Sequence, residues 1–263
     1  MSSSSSVVTE LSPEDTERFG PAPEAAFRVN LAAVEERISR ACERAGRDRA
    51  SVRLLPITKT VPAHILRLAH AAGIHPFGEN KIQEAMSKRD ALQDLPVDWC
   101  IVGHLQTNKA KYLARFATEF HALDSARLAE MLDKRLEIED RFLEVYVQVN
   151  TSGEESKYGL HPDDLLPFID TLGQYKRLKP RGLMTLALLS ADMVKVRPCF
   201  ALLRRLRDEA VKRNAALTEL SMGMSGDFEE AIEEGSNVVR VGQAIFGKRP
   251  TPDGHYWPGL LKN

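Results

Sequence analysis

Three places in this 263-residue sequence carry groups that could do chemistry. In SVRLLPITKTVP, residues 51–62, Lys59 stands between two threonines just where the apolar run 54–57 should be ending. It reads as a surface lysine at a strand end. Partly withdrawn from water, with its pKa lowered by an apolar surround, it reads instead as an amine that condenses with an aldehyde to an imine. The stretches SMGMSGD (221–227) and RVGQAIFG (240–247) join small residues to glycine, so their backbone N–H groups could close around a phosphate. Either alone is also simply a turn. Arg240 opens the second stretch, as a cation facing a ligand or as the partner of a strand-end carboxylate such as Asp227.

These groups are far apart in sequence, and the pattern of the chain says how they could meet. Phe27, Leu31, Val34, Ile38 and Cys42 recur at steps of three and four, one face of a helix that Gly46 ends. SVRLLPIT is a strand, and Pro62 suits the first turn of a helix running to Gly73. The alternation continues with HPFG and KIQEAMSKRDAL, DWCIVG and NKAKYLARFA, EFHALD and ARLAEMLDKRLE, then FLEVYVQVN and DDLLPFIDTLG. PRGLMTL and RPCFALLRRLRDEAVKRN, LTELSMG and DFEEAIEEG, and a last strand NVVRVG complete it. Strands regularly separated by helices predict an α/β protein, a single (β/α)8 TIM barrel with an extra N-terminal helix; an open doubly wound sheet is the alternative. The barrel is expected over residues 25–250, a disordered serine-rich leader over 1–24 and a tail over 251–263, with no room for a second domain of ordinary size.

Composition narrows the function classes. A formal net charge of −1 offers no global field for nucleic acid or an anionic membrane, so any anion needs a local site. There is no apolar run of about 18 residues and no signal-peptide pattern, and the leader is acidic; a cytoplasmic location is expected. Cys42, Cys100 and Cys199 are odd in number and scattered, as buried small hydrophobes of a reducing compartment would be. His64, His70 and His75 miss the i, i+4 spacing of a helical zinc pair, so no metal is predicted.

In such a barrel chemistry gathers at the C-terminal ends of the strands. That filter selects Thr58 and Lys59; Gly78, Glu79 and Asn80; Gly103, His104 and Gln106; Asp124; Asn150; Met184 and Thr185; and the stretches 221–227 and 240–247. The loops after strands seven and eight are the common phosphate cradle of the fold, which puts Ser225, Gly226, Gly242 and Gln243 in the right places. A phosphate-bearing aldehyde fixed there and bonded to Lys59 would be pyridoxal 5'-phosphate. Arg240 at its pyridine nitrogen would disfavour ring protonation and weaken the electron sink.

LLPITKTVP, FGENKIQEA, WCIVGHLQTNKAK, VNTSGEESKYGL, RGLMTL, LSMGMSGDFEEAI and VRVGQAIFGKR, in that order over roughly residues 28–249, closely resemble the motifs of the YggS/PROSC family of pyridoxal phosphate homeostasis proteins. The resemblance implies a barrel like the N-terminal domain of alanine racemase, with the cofactor carried as an imine on Lys59. It implies Arg240 at the pyridine nitrogen, Ser225, Gly242 and Gln243 on the phosphate, Asn80 and His104 bordering the ring and Met184 packed near it. Lys157 corresponds to a lysine implicated in releasing or relaying the cofactor. His104 stands where some members have proline, and the leader and tail exceed what the motifs require.

The resemblance also implies binding without efficient catalysis. Racemisation commonly needs acid/base groups on both faces of the substrate, and in the racemase the second is a tyrosine from another domain across a dimer. Of the five tyrosines here, Tyr112, Tyr146 and Tyr175 fall on helix or strand bodies and Tyr256 in the tail, leaving Tyr158 on a loop able to visit the mouth. The expectation is a monomer that stores pyridoxal phosphate reversibly and passes it to apoenzymes. The alternatives are a minimal racemase or lyase on the same lysine, and a cofactor-free barrel aldolase.

Overall fold

All eight strands read from the sequence are present and every pairing is parallel. The computed structural model describes residues 10–250. The strands are β1 (Arg53–Pro56), β2 (Phe77–Glu79), β3 (Trp99–Ile101), β4 (Glu119–Leu123), β5 (Leu143–Gln148), β6 (Leu178–Met184), β7 (Glu219–Ser221) and β8 (Val238–Val241). The helices are α1 (Pro13–Phe19), α2 (Pro23–Arg44), α3 (Ala63–Ala71), α4 (Ile82–Ala91), α5 (Ala110–Leu113), α6 (Ala126–Ile138), α7 (Leu165–Leu172), α8 (Met193–Arg213), α9 (Phe228–Glu233) and α10 (Gln243–Phe246). The sheet runs β1-β8-β7-β6-β5-β4-β3-β2, and the circle closes where Ile57 bridges Gly78 and the Thr58 N–H donates to the Gly78 carbonyl at 2.8 Å. It is a closed barrel, and the open sheet is ruled out.

Strand alternation sorts side chains into two layers. Leu54, Phe77, Trp99, Val239 and Val241 pack outward with α2 and α3, whereas Leu55 and Ile57 belong with the barrel interior. Leu55 is in register with Arg240, and Arg53 with Val238, so Arg53, Leu55, Ile57 and Lys59 share the inner face of the first strand and its extension.

The N-terminal end of that interior is charged, where this fold more often stacks branched apolar side chains. Arg53 donates to Glu119 Oε2 at 2.7 Å, His121 Nε2 meets the same oxygen at 2.9 Å, Arg181 donates to Glu219 at 2.6 Å, and the Tyr146 hydroxyl donates to Glu219. Burial alone would raise the Glu119 pKa, but the His121 hydrogen bond and the Arg53 charge bring it down to about 2.

The leader is not disordered throughout as expected. Residues 1–9 and the tail 251–263 lie outside the described residues, but from residue 13 the chain is helical. Ser12 and Asp15 form a reciprocal capping box around Pro13 at the first turn. Phe19, 6% exposed, meets Phe27 edge-on at 6.1 Å, and Phe27 meets Phe246 at 5.3 Å. Each such aromatic contact contributes about 0.5–1.5 kcal/mol. A seven-residue helix with one anchoring aromatic carries little periodic signal, and docking stabilises what propensity does not.

Two outcomes follow. A methyl on Gly182 would lie 1.9 Å from the Glu219 carbonyl oxygen, inside the neighbouring strand, so Gly182→Ala should destabilise by about 3 kcal/mol or more; a urea midpoint equal to wild type would refute this. A free glutamate titrates near 4.5, so the stability from the depressed Glu119 pKa is complete above that value and is lost as pH falls through about 2. Glu119→Gln should therefore be less stable than wild type at neutral pH and lose less on acidification between those limits. Parallel urea-midpoint curves for the two proteins over that range would contradict it.

Candidate functional site

Lys59 is 9% exposed, two residues beyond Ile57 on the inner side of the barrel mouth. The residues on either side of it are held from outside the barrel. Glu79 alternates outward from β2 to Lys88 of α4, whose Nζ donates to Glu79 Oε1 at 2.6 Å, Glu84 Oε1 at 2.6 Å and the Thr58 carbonyl at 2.8 Å. The Thr58 hydroxyl donates to the same Glu79 oxygen at 2.6 Å. Burial pushes Glu79 up to about 7, opposed by the Lys88 charge. Glu84 also accepts the Thr60 N–H at 2.6 Å. Thr60 has φ 66°, the left-handed region, which costs a β-branched residue about 1–2 kcal/mol and persists only where the surroundings impose it. The chain therefore turns sharply just past Lys59, with its amide held by a carboxylate that a buried ammonium holds in turn.

Arg240, 3% exposed on the inner face of β8, donates from Nη1 to Ser221 Oγ at 2.7 Å and from Nη2 to the Thr185 carbonyl at 2.8 Å. The ion pair with Asp227 that the sequence left open is replaced by these contacts, and Asp227 instead accepts the Met224 N–H at 2.6 Å. Burial lowers the Arg240 pKa to about 10, so it remains a cation at neutral pH. Ser221 in turn meets His121 Nδ1 at 2.9 Å. Because Ser221 accepts from Arg240 and Glu119 is ionised, the assigned pattern is Ser221 O–H to His121 Nδ1 and His121 Nε2–H to Glu119. Burial lowers the His121 pKa, consistent with a neutral ring. One polarised chain thus crosses the barrel from Arg53 at its base to Arg240 near its mouth.

The two glycine-bearing loops come together behind this arginine. The Gly242 N–H donates to Ser225 Oγ at 3.3 Å, and Gly242 is the N-cap of α10, whose first N–H groups, Gln243 among them, have no partner within the helix. A Cβ on Gly242 would come within 3.0 Å of the Ile57 carbonyl, whereas one on Gly226 would meet nothing within 4 Å. Met184, fully buried, pairs with Gln148 and Ser221 in register, on the same face as Ser221. Asn80 follows Glu79 by one residue and so alternates to the inner side, its carbonyl packed against Gly103.

His104 sits on the rim. Its ring stacks on Tyr158 with centroids 3.8 Å apart and planes 5° apart, and its Nδ1 lies 3.3 Å from Asp124 Oδ2. Burial raises the Asp124 pKa. Lys157 is not an exposed loop lysine: its side chain is 9% exposed, donating to the Ala187 carbonyl at 2.7 Å and pairing with Glu154.

The structure thus brings Lys59, Asn80, Met184, Arg240, Ser225, Gly242 and Gln243 to one end of the barrel and leaves His104 on its rim. Sequence reasoning missed Lys88 and Glu84, which follow the conspicuous FGEN stretch on a helix face that looks solvent-bound, and His121, whose only signal is a lone histidine inside the apolar run EFHAL.

Comparison with known proteins places this arrangement. The family model described as alanine racemase, N-terminal domain, matches residues 29–250. A protein of Aquifex aeolicus named pyridoxal phosphate homeostasis protein is 43% identical over 220 residues, covering 83% of this chain and 96% of that one. The human protein of the same name is 38% identical over 244 residues, covering 85% and 88%. The solved structure of PipY from Synechococcus elongatus, with PLP bound, superposes with a TM-score of 0.73 at 34% identity, covering 84% of this chain and all of that one. Agreement of that extent, along nearly the whole length of each relative, means that the chain belongs to the family of pyridoxal phosphate homeostasis proteins, built on the barrel of the alanine racemase N-terminal domain.

Proposed function

We propose that this chain binds pyridoxal 5'-phosphate covalently through Lys59, as an imine, and keeps it available to other proteins without turning over an amino acid efficiently. The observation that carries the reading is the placement of a buried Lys59, just past the end of β1, at the same mouth as a buried Arg240 on the adjacent β8. The donor set suits the group: an amine for an aldehyde, a guanidinium for a ring nitrogen, and for a phosphate the Ser225 hydroxyl with the N–H groups at Gly242 and Gln243, where a Cβ on Gly242 would press on the Ile57 carbonyl. Asn80 and Met184 would flank the ring and His104 the open side.

Bound there, the cofactor would supply an electrophilic aldehyde and an electron-withdrawing ring. Arg240 stays protonated at neutral pH and offers a permanent positive charge, so it has no proton to take and keeps a facing nitrogen unprotonated. Ser221 and the Thr185 carbonyl fix its plane, and the His121–Glu119 pair behind Ser221 keeps that hydroxyl oriented. These residues hold and orient; none of them moves a proton at a substrate carbon. Tyr146, the tyrosine nearest His121, has its pKa raised by burial and its hydroxyl committed to Glu219. The relatives' name, pyridoxal phosphate homeostasis protein, supports a role in handling the cofactor, and storage with delivery to apoenzymes is the form of it proposed here. The His104–Tyr158 stack beside Asp124 is the observation that favours a second reading, slow racemase or lyase chemistry at the same lysine.

The purified protein should show an absorbance band beyond the aromatic region after addition of pyridoxal phosphate, bleached by borohydride, and Lys59→Ala should lack it. A wild-type protein that stays colourless would overturn the reading. Against a panel of amino acids the loaded protein should show no turnover above free cofactor. Steady turnover that Tyr158→Phe or His104→Ala lowers at least about tenfold, with the band intact, would promote the second reading instead.

A further inference from the structure

Helix α1 precedes residues 29–250, the part matched by the family model, yet it touches both halves of the proposed site. Arg18 donates from Nη1 to the Thr60 carbonyl at 2.6 Å and from Nη2 to Thr60 Oγ1 at 2.9 Å. Asp15 anchors the helix a turn earlier, with Oδ2 2.9 Å from His64 Nε2 on α3. At the other end, a Cβ on Gly247, the residue that closes α10, would lie 3.7 Å from the Arg18 carbonyl, and Phe19 packs through Phe27 toward Phe246 of the same short helix.

Thr60 is the residue at which this contact matters. It is held left-handed immediately after Lys59, and each of its polar groups is engaged: the N–H by Glu84, the carbonyl and the hydroxyl by the Arg18 fork. A β-branched residue stays in that region only when neighbours over-determine it. Glu84 fixes one point of the turn; the planar two-pronged guanidinium fixes two more with a set direction between them, which a flexible ammonium would not do.

We propose that Arg18 is a positioning residue for Lys59. By pinning Thr60 in its left-handed conformation, the N-terminal helix sets the direction in which the chain leaves β1 and so keeps the Lys59 side chain on the inner face of the mouth. This rests on the reading that Lys59 carries the cofactor. The helix is a brace added in front of the shared barrel, and its contact with the end of α10 ties the lysine turn to the phosphate cradle.

The test uses the full chain as wild type, Arg18→Ala and Ser12→Ala, the last removing the helix's N-cap while leaving Arg18 and both of its acceptors in place. Hydrogen exchange of the Thr60 amide is read by NMR without cofactor, the affinity for added pyridoxal phosphate from the absorbance band, and the melting temperature alongside. Arg18→Ala should speed Thr60 exchange at least about tenfold and weaken affinity about tenfold. Ser12→Ala should lower the melting temperature and leave both other readouts within about twofold of wild type. Equal effects of the two variants, or wild-type exchange and affinity in Arg18→Ala, would overturn the proposal. If Arg18→Ala does not fold, Thr60→Ala, which removes one of the two acceptors, should weaken affinity about threefold, and an unchanged affinity there overturns it as well. A wild-type protein that takes up no pyridoxal phosphate overturns the function proposed for Lys59 itself, and Thr60 exchange then still reads whether Arg18 holds that residue.

Discussion

A single buried ammonium organises the mouth of this barrel. Lys88 reaches from α4 to the junction of β1 and β2, the seam at which the sheet closes, and binds a backbone carbonyl and two carboxylates there. Removing one member of so buried a group would leave the others uncompensated, a loss of about 3–5 kcal/mol. Lys88 satisfies the Thr58 carbonyl just beyond the last paired residues of β1 and fixes Glu84, which takes the amide of Thr60. The residue between those threonines is Lys59. Its placement thus depends on a charge that never faces the cavity.

The interior shows a second use of buried polarity. A chain of hydrogen bonds runs from Arg53 through Glu119, His121 and Ser221 to Arg240, and each link sets the direction of the next. An ionised Glu119 requires the proton on His121 Nε2, which leaves Nδ1 to accept from Ser221, which is then an acceptor for Arg240. Polar groups withdrawn from water cost free energy unless satisfied, so a satisfied chain of this kind has one arrangement and holds it. Arg240 is presented to the mouth with its plane fixed.

Under the proposed reading, a buried cation held rigidly at the mouth suits a holder of the cofactor more than a catalyst. The same barrel serves racemases, so the architecture permits both outcomes, and side chains at the strand ends decide between them. Here the rim is occupied by a stacked His104 and Tyr158, by the Asp124 carboxylate and by a Lys157 tied to the Ala187 carbonyl, each already engaged with a neighbour. Under the proposed reading such a rim would suit slow exchange of a bound aldehyde.

The barrel was legible in the sequence because its signals are local. Apolar periodicity marked the strand–helix units, proline and glycine marked their ends, and the rule that chemistry collects at strand C-termini brought Lys59, Arg240 and the two glycine loops to one mouth. Three things needed the tertiary structure. Helix α1 forms because Phe19 and Arg18 find partners at Phe27 and Thr60, the latter 42 residues away. Glu79, selected as a mouth residue, turns outward to Lys88, since alternation sends it to the opposite face from Asn80. The partners of Arg240 lie 19 and 55 residues away, on the adjacent β7 and just past β6 one strand further round, and come within its reach only when the barrel forms. Composition and periodicity report how each segment meets water. Which buried donor meets which buried acceptor is decided only when closure removes the water that would otherwise satisfy both.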